Sequence, residues 1–481
     1  MQGRVISKVK TVLLSILLSI LLSILLVVLY LIIGASVPYI FQPQVSEETK
    51  ETFNPDDCYG QEECSERAMI IEENGDALTE RLRFIDNATE SIILSTFEFH
   101  DDTTGRQVIS ALMEAAGRGV HVQILVDGAS FMRDMEHKPC FHALVSTENV
   151  EIKVYNQINL LTPWTGMSRM HDKYLLVDGR SYILGGRNTF DFFLGTQDSH
   201  KNYDRDVLVV GDGAADTSAA RLKDYFDDIW NQKECRLWTI SDGKKNNADT
   251  AAARNELKSV YDKNKADNPQ WYEQVDYTDK TVSAKRISIF TNPTGLYSKE
   301  PVVFYELSEL MKNARKDVVI HTPYIICNNF MYDSLTQVCD NVENVTLMTN
   351  SVINNGNPFG AADLLRYKDR VLGTGLKLLE FEGEYSYHGK SIAIDNDISV
   401  IGSFNMDMKS AYQDTEMMVV IHSEELNSQL RANMQRYEAD AHEGVLQPNT
   451  YREMFSDDMS ALSKFQRIAV WLVDPLFRFL F

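Results

Sequence analysis

Six cysteines in 481 residues are too few for disulfides to organise the chain. None forms a C-x-x-C pair, so neither a zinc knuckle nor a thioredoxin-type redox site is supported. Cys58 and Cys64 enclose five residues and could close a small loop, while Cys140, Cys235, Cys327 and Cys339 are scattered. Basic residues are also scarce: 47 Lys and Arg face 69 Asp and Glu, a net charge of −22. That balance argues against an electrostatic nucleic-acid binder and against a surface drawn to anionic lipid, although a small basic pocket fits inside an acidic surface. The soluble part has no Lys/Arg run with interleaved aromatics, and Lys244-Lys245 reads as a solvated linker. With 44% hydrophobic and 24% charged residues, the chain is neither disordered nor collagen-like. Its length suggests about three units.

What it does have, first, is a long apolar run. Val12 to Ile33 carries no charge and is mostly Leu, Ile and Val. Twenty-two residues at ~1.5 Å each span ~33 Å, enough for a hydrocarbon core of ~30 Å. A secretory h-region is shorter, so the run reads as an uncleaved anchor. Arg4, Lys8 and Lys10 precede it, and no Lys or Arg follows until Lys50. The positive-inside bias places the N-terminus in the cytoplasm and the bulk of the chain outside, in a single-pass cell-membrane protein.

Residues 34–65 are polar and acidic, with Pro38, Pro43 and Pro55, and read as a stalk. Helix and strand patterns then alternate. Ala77–Asn87 and Arg106–Arg118 read as helices, and Ser91–Thr96 and Val120–Val126 as strands. The same order returns with helices over Val302–Ala314 and Phe330–Val338 and strands over Val318–Thr322 and Val345–Thr349. Such alternation predicts a mostly parallel sheet flanked by helices, here duplicated. The boundaries follow: a cytoplasmic N-terminus over 1–11, an anchor over 12–33, a stalk over 34–65 and a first repeat over 66–238. A polar linker or insertion over 239–285, with a helix near Ala251–Tyr261, separates it from a second repeat over 286–445. The segment 446–481 remains.

The duplication sharpens at two places. His171-Asp172-Lys173, four apolar or aromatic residues and Asp178 match His388-Gly389-Lys390, four residues and Asp395, both H-x-K-x4-D. Gly185, Gly186 and Asn188 follow His171 at +14, +15 and +17, as Gly402, Ser403 and Asn405 follow His388. Farther on, Asp204-Arg205-Asp206 answers Asp414-Thr415-Glu416. One such motif arises by chance in a chain this long; two with matching downstream residues do not.

Side chains alternate along a strand, so the His and Lys of H-x-K face the same side. Two His, two Lys and two Asn meeting across a pseudo-two-fold axis make a compact cationic pocket. The Lys hold phosphate oxygens as point charges, and Asn188, Asn405 and Ser403 supply further phosphate contacts. One His attacks phosphorus while the other protonates the leaving oxygen. A carboxylate on each far ring nitrogen fixes the tautomer, and Asp206 and Glu416 are placed for that task. The catalytic set is therefore His171, Lys173, Asp178, His388, Lys390 and Asp395. Asp178 and Asp395 end their strands beside turn residues and brace the motif. The glycines are there for close backbone approach. The protein cations carry the charge, so neither metal nor cofactor is expected.

These residues resemble the phospholipase D superfamily, whose members carry two His-Lys-Asp motifs, over about residues 66–425. Met170–Lys173, Ile183–Asn188 and Asp204–Val207 are most similar to the first half of bacterial cardiolipin synthases of the C type, and Ile401–Asp407, Ser410-Ala411 and Asp414–Glu416 to the second. The resemblance implies a duplicated α/β fold and a covalent phosphatidyl-histidine, with His171 as nucleophile and His388 as acid, then base. Position 414 departs from it, being Asp where the family usually has Asn.

The superfamily also holds nucleases. The anchor, the apolar segment Leu160–Met167 before the first motif and the amphipathic segment Phe465–Phe481 all favour lipid. The expected activity is phosphatidyl transfer between phospholipids, with phosphatidylglycerol as substrate and the bilayer as partner, and no stable nucleic-acid partner. A hydrolytic phospholipase D and an anchored nuclease are the alternatives.

Overall fold

A computed structural model describes residues 2–196, 201–445 and 464–481. The apolar run lies within one helix, Gln2–Ser36. Among the described residues, Lys8–Tyr39 is the one stretch long and apolar enough to cross a membrane. Its Leu, Ile and Val side chains stand mostly exposed, with no protein core around them.

Residues 42–60 differ from a free stalk, because they lie along the second repeat. Asn328 donates to Gln42 at 2.6 Å, the Ser46 amide donates to Glu300 at 2.7 Å, and Phe53 meets the Phe290 ring edge-on at 5.5 Å. Cys58 is buried in the second repeat's core, and both Cys58 and Cys64 are free thiols.

Two large sheets form the body. The first runs, edge to edge, through strands Cys235–Leu237, Val150–Tyr155, His121–Asp127, Ser91–Thr96, Tyr174–Val177, Ser181–Gly185, Asp206–Val210, Arg67–Ile71 and Val282–Ser283. The second runs through Arg286–Thr291, Met417–His422, Ile398–Gly402, Ser391–Ile394, Asp317–His321, Asn344–Asn350, Lys377–Phe381 and Ala441–Glu443. Each is mixed. The neighbours Ser91–Thr96, His121–Asp127 and Val150–Tyr155 are parallel, as are Asp317–His321, Asn344–Asn350 and Lys377–Phe381. The remaining pairs are antiparallel. The cause is local: the strand after each H-x-K turns back at once, and so short a connection permits only antiparallel pairing. Asp178 (φ 51°) and Gly179 (φ 65°) make the first turn, and Asp395 (φ 47°) enters the second.

Helices lie on both faces of each sheet. On the inner side Leu222 and Phe226 of helix Ser218–Trp230 and Leu426 and Leu430 of helix Glu424–Glu438 join Leu176, Leu184 and Val207 of the first sheet and Ala393, Ile401 and Val419 of the second in one core. Burying both faces explains why these strands read as unbroken apolar runs. The expected insertion contains helix Ala248–Asp267, whose Ala253, Leu257 and Tyr261 enter the first repeat's core.

At the C-terminus, helix Lys464–Phe477 packs on helix Pro358–Gly373. Arg478 pairs with Asp363 at 2.7 Å, and Phe481 stacks on Phe359 at 3.9 Å, while Leu472 and Leu476 stay exposed. Residues 446–463 of this expected amphipathic segment lie outside the described residues.

Candidate active site

Both H-x-K motifs sit at the seam between the sheets, one step before the regular strands Tyr174–Val177 and Ser391–Ile394. Two parallel bridges stitch the seam crosswise, Met170 with Thr415 and Tyr203 with Tyr387. In each, the residue before a histidine pairs with the residue before a carboxylate of the opposite half. The next residue on each side therefore meets across the interface. His171 Nδ1 lies 2.8 Å from Glu416 Oε1, and His388 Nδ1 lies 2.7 Å from Asp204 Oδ2. Each half thus supplies an imidazole to the carboxylate of the other, and neither pair exists in a single repeat.

Asp204, not Asp206, holds His388. The ladder explains why. Gly185 faces Asp206 in the first sheet, as Gly402 faces Met418 in the second. The two glycines are equivalent, so Asp206 corresponds to Met418 and Asp204 to Glu416. Asp206 instead ion-pairs with two buried guanidiniums, Arg81 at 2.9 Å and Arg187 at 3.3 Å. Both halves carry acid-x-acid, so the sequence permits two registers, and only the hydrogen-bond ladder selects one.

Ser403 also differs from its expected phosphate role. Its fully buried hydroxyl donates to Glu416 Oε2 at 2.5 Å and accepts the Met417 amide at 3.0 Å. Ser410 donates to Glu416 Oε1 at 2.7 Å, a partner the sequence did not single out. Gly186, equivalent to Ser403, has no side chain because a Cβ there would stand 2.3 Å from Asp204 Oδ1. Asn188 accepts the Glu98 amide at 3.3 Å, and Asn405 is buried with no partner for its Oδ1 among the described residues.

Asp178 and Asp395 face away from the histidines. Asp178 accepts the amides of Thr89, Glu90 and Ser91 at 2.8–3.2 Å, and Asp395 those of Arg315, Lys316 and Asp317 at the same distances. Each ties its hairpin to the start of the neighbouring antiparallel strand.

The lysines are buried beside their own histidines. Lys173 Nζ donates to the His171 carbonyl at 2.5 Å, and Lys390 Nζ lies 2.8 Å and 3.1 Å from the two nitrogens of the His388 ring. Burial pushes Lys173 down to about 8 and Lys390 to about 7. Burial and then the adjacent lysine drive His388 down to about 3 and His171 well below its ordinary value. The carboxyls diverge. Burial raises Glu416 to about 8, whereas the Lys390 charge and the hydrogen bond from His388 outweigh burial and hold Asp204 well below the carboxylate range. An aromatic edge closes on each imidazole, Phe97 at 5.1 Å from His171 and Phe193 at 5.0 Å from His388. Sequence reasoning had no signal for either ring.

Among the described residues, Glu98, His100 and Asp134 come close enough to hold a cation. The Arg133 guanidinium already ion-pairs with both carboxylates there. The His–Lys seam is thus a cationic cleft with two carboxylate-backed imidazoles, suited to a phosphodiester.

A family model described as "Cardiolipin synthase, PLD-like domain" matches residues 82–230 and 307–437. An uncharacterized protein of Helicobacter pylori strain 26695 is 26% identical over 411 residues, covering 76% of this chain and 78% of that one. Cardiolipin synthase C of Escherichia coli K12 is 24% identical over 394 residues, 74% of this chain and 81% of that one. The crystal structure of phosphatidylserine synthase from Haemophilus influenzae Rd KW20 superposes with a TM-score of 0.59 at 15% identity, covering 86% and 95% of the two chains, which shows a shared fold. With the family model spanning more than half of its residues, in two segments that each hold one H-x-K motif, the chain belongs to the cardiolipin synthase, phospholipase D-like domain family.

Proposed function

We propose that this protein transfers a phosphatidyl group between two phospholipids, forming cardiolipin through a covalent phosphohistidine. The observation that carries the reading is the crossed pair of histidine–carboxylate contacts at the seam, each beside a buried lysine. Family membership and the similarity to cardiolipin synthase C support lipid as the substrate.

The chemistry follows from these groups. Lys173 and Lys390 hold the phosphodiester oxygens. His171 Nε2, neutral and with its Nδ1 proton directed to Glu416, attacks phosphorus, so a P–N bond forms and the bond to the headgroup oxygen breaks. His388 Nε2 gives its proton to that departing oxygen. Burial and the Lys390 charge oppose protonation of His388. An incoming phosphate neutralises that charge while Asp204 remains, so substrate binding charges the acid where it is needed. In the second step His388 takes the proton of an incoming lipid hydroxyl, which attacks the phosphohistidine and releases His171. Phosphatidylglycerol serves as acceptor; water in its place gives hydrolysis.

The test uses full-length protein in mixed micelles with labelled phosphatidylglycerol, with and without phosphatidylethanolamine, and single-stranded DNA separately. Cardiolipin with released glycerol or ethanolamine is expected, and His171→Ala and His388→Ala should each abolish it. Phosphatidic acid alone would make the enzyme a hydrolase. Cleaved DNA with intact lipid would refute the substrate class.

A further inference from the structure

The segment leading into His171 is uncharged from Val154 to Ser168, in a chain in which 24% of residues are charged. Its tip is apolar and open: Leu160 is 66% and Leu161 79% exposed. Two neighbouring leucines left to water call for an occupant, and the contacts of this loop identify one.

The loop descends along the membrane helix. The Tyr39 hydroxyl donates to the Trp164 carbonyl at 3.2 Å and bonds Ser168 Oγ at 3.1 Å. Pro163 lies against Gly34, where a Cβ would stand 2.5 Å from Pro163 Cγ. Tyr30 donates to the Leu161 carbonyl at 2.8 Å. Going backward from Trp164 to Leu161, the helix partner moves from residue 39 to 34 to 30. At ~1.5 Å per residue, Tyr30 stands ~4.5 Å inside the end of the apolar run at Ile33. If the helix crosses the bilayer, the Leu160–Leu161 tip is level with hydrocarbon.

The polar groups of the tip fit that medium, where an unpaired one is costly. Asn159 Oδ1 caps the Leu161 amide at 2.9 Å, the Thr162 amide returns to the Asn159 carbonyl at 3.0 Å, and Tyr30 takes the Leu161 carbonyl. Phe41, 84% exposed just beyond the helix, adds a further apolar group next to Gln42, which is bound to the second repeat.

We propose that residues 157–166 form a lip inserted among the acyl chains of the leaflet at the C-terminal end of the helix, through which phospholipid passes to the seam. The lip runs directly into Ser168, Arg169 and Met170, so the element that meets lipid also positions His171. The insertion rests on the spanning helix, and the delivery role rests on the proposed lipid substrate.

Two readouts separate these. Full-length protein is reconstituted in phosphatidylcholine–phosphatidylglycerol vesicles with brominated acyl chains. Tryptophan emission should be quenched, with a component that disappears in Trp164→Phe. Leu160→Asp/Leu161→Asp should lower turnover of vesicle lipid at least tenfold, with turnover of the same lipid in detergent micelles within twofold of wild type and an unchanged melting temperature. Equal quenching in wild type and Trp164→Phe would overturn the lip, as would equal turnover of vesicle lipid by the double variant. Quenching at Trp164 without turnover of any phospholipid would leave the lip standing and refute the proposed function and the delivery role.

Discussion

Asp204 and Asp206 are two residues apart and equally buried, yet the structure gives them separable tasks. Asp204→Asn replaces the carboxylate 2.7 Å from His388 by a neutral amide of the same shape. The lost contact is a buried, charge-assisted hydrogen bond to an imidazole that must carry positive charge during reaction, and removing one partner of such a pair costs about 3–5 kcal/mol. At ~1.4 kcal/mol per factor of ten, turnover should fall by roughly a hundredfold to a few thousandfold. The same change removes the anion beside Lys390, so some loss of melting temperature accompanies the loss of turnover. Asp206→Asn instead leaves Arg81 and Arg187 buried without their anion. The same 3–5 kcal/mol then falls on the fold, lowering the melting temperature by about 6–20 °C at ~2–4 °C per kcal/mol. Folded enzyme should keep turnover within about threefold. Cardiolipin formation in mixed micelles and thermal unfolding, measured on both variants, give the test. If Asp204→Asn keeps near-normal turnover, or Asp206→Asn loses it while melting like wild type, the crossed pairing is wrong.

The hairpin carboxylates should behave as braces. Asp178→Ala and Asp395→Ala each remove an acceptor of three backbone amides and place alanine at positive φ, so each should cost about 2–3 kcal/mol in urea unfolding while kcat of the folded protein stays within a few-fold. Phosphate affinity should depend on pH through the lysines. Lys390 near 7 and Lys173 near 8 carry less charge as pH rises, so competitive inhibition by inorganic phosphate should weaken between pH 7 and 9. Constant inhibition across that window would show that they keep their charge in the empty cleft. The same lowered lysines bind fewer protons folded than unfolded between about 7 and 10.5, so they contribute stability that rises with pH there. Glu416, raised from 4.5 to about 8, contributes the opposite slope between those values.

The duplication was legible because it rests on covalent spacing. H-x-K-x4-D, the glycine at +14 and the asparagine at +17 survive in the chain without reference to the fold. The strand at Ser91–Thr96 was legible for a similar reason, its apolar run being bounded by polar residues. Whatever depended on pairing between distant segments was not. Acid-x-acid in both halves admits a two-residue shift, and only Gly185 opposite Asp206 and Gly402 opposite Met418 removes it. In the same register Asp414 is equivalent to Asn202. Composition marked residues 34–65 as a polar stalk, yet Phe53 and Cys58 enter the second repeat's packing. Phe97 and Phe193 are ordinary core-type residues by sequence and acquire meaning only where the seam sets them against imidazoles.

The two histidines are related by the duplication but are not equivalent, and the difference traces to one position. At +15 from the histidine the first repeat has Gly186 and the second Ser403. Glycine lets Asp204 come in bare, held by the Arg205 amide at 2.7 Å and by the cationic groups around it, so its carboxylate stays ionised beside His388. Serine fills the equivalent space at Glu416 and, with Ser410, binds both carboxylate oxygens through neutral hydroxyls. Burial outweighs the Lys173 charge and the two neutral hydroxyls at Glu416, with Asp414 adding to the rise, whereas at Asp204 the surrounding cations outweigh burial. A firmly ionised carboxylate favours the imidazolium form of its histidine, as an acid and then a base requires. A carboxyl that holds charge less readily leaves its imidazole neutral, as a nucleophile requires. The side-chain difference at +15 agrees with the proposed order, His171 attacking and His388 moving the proton.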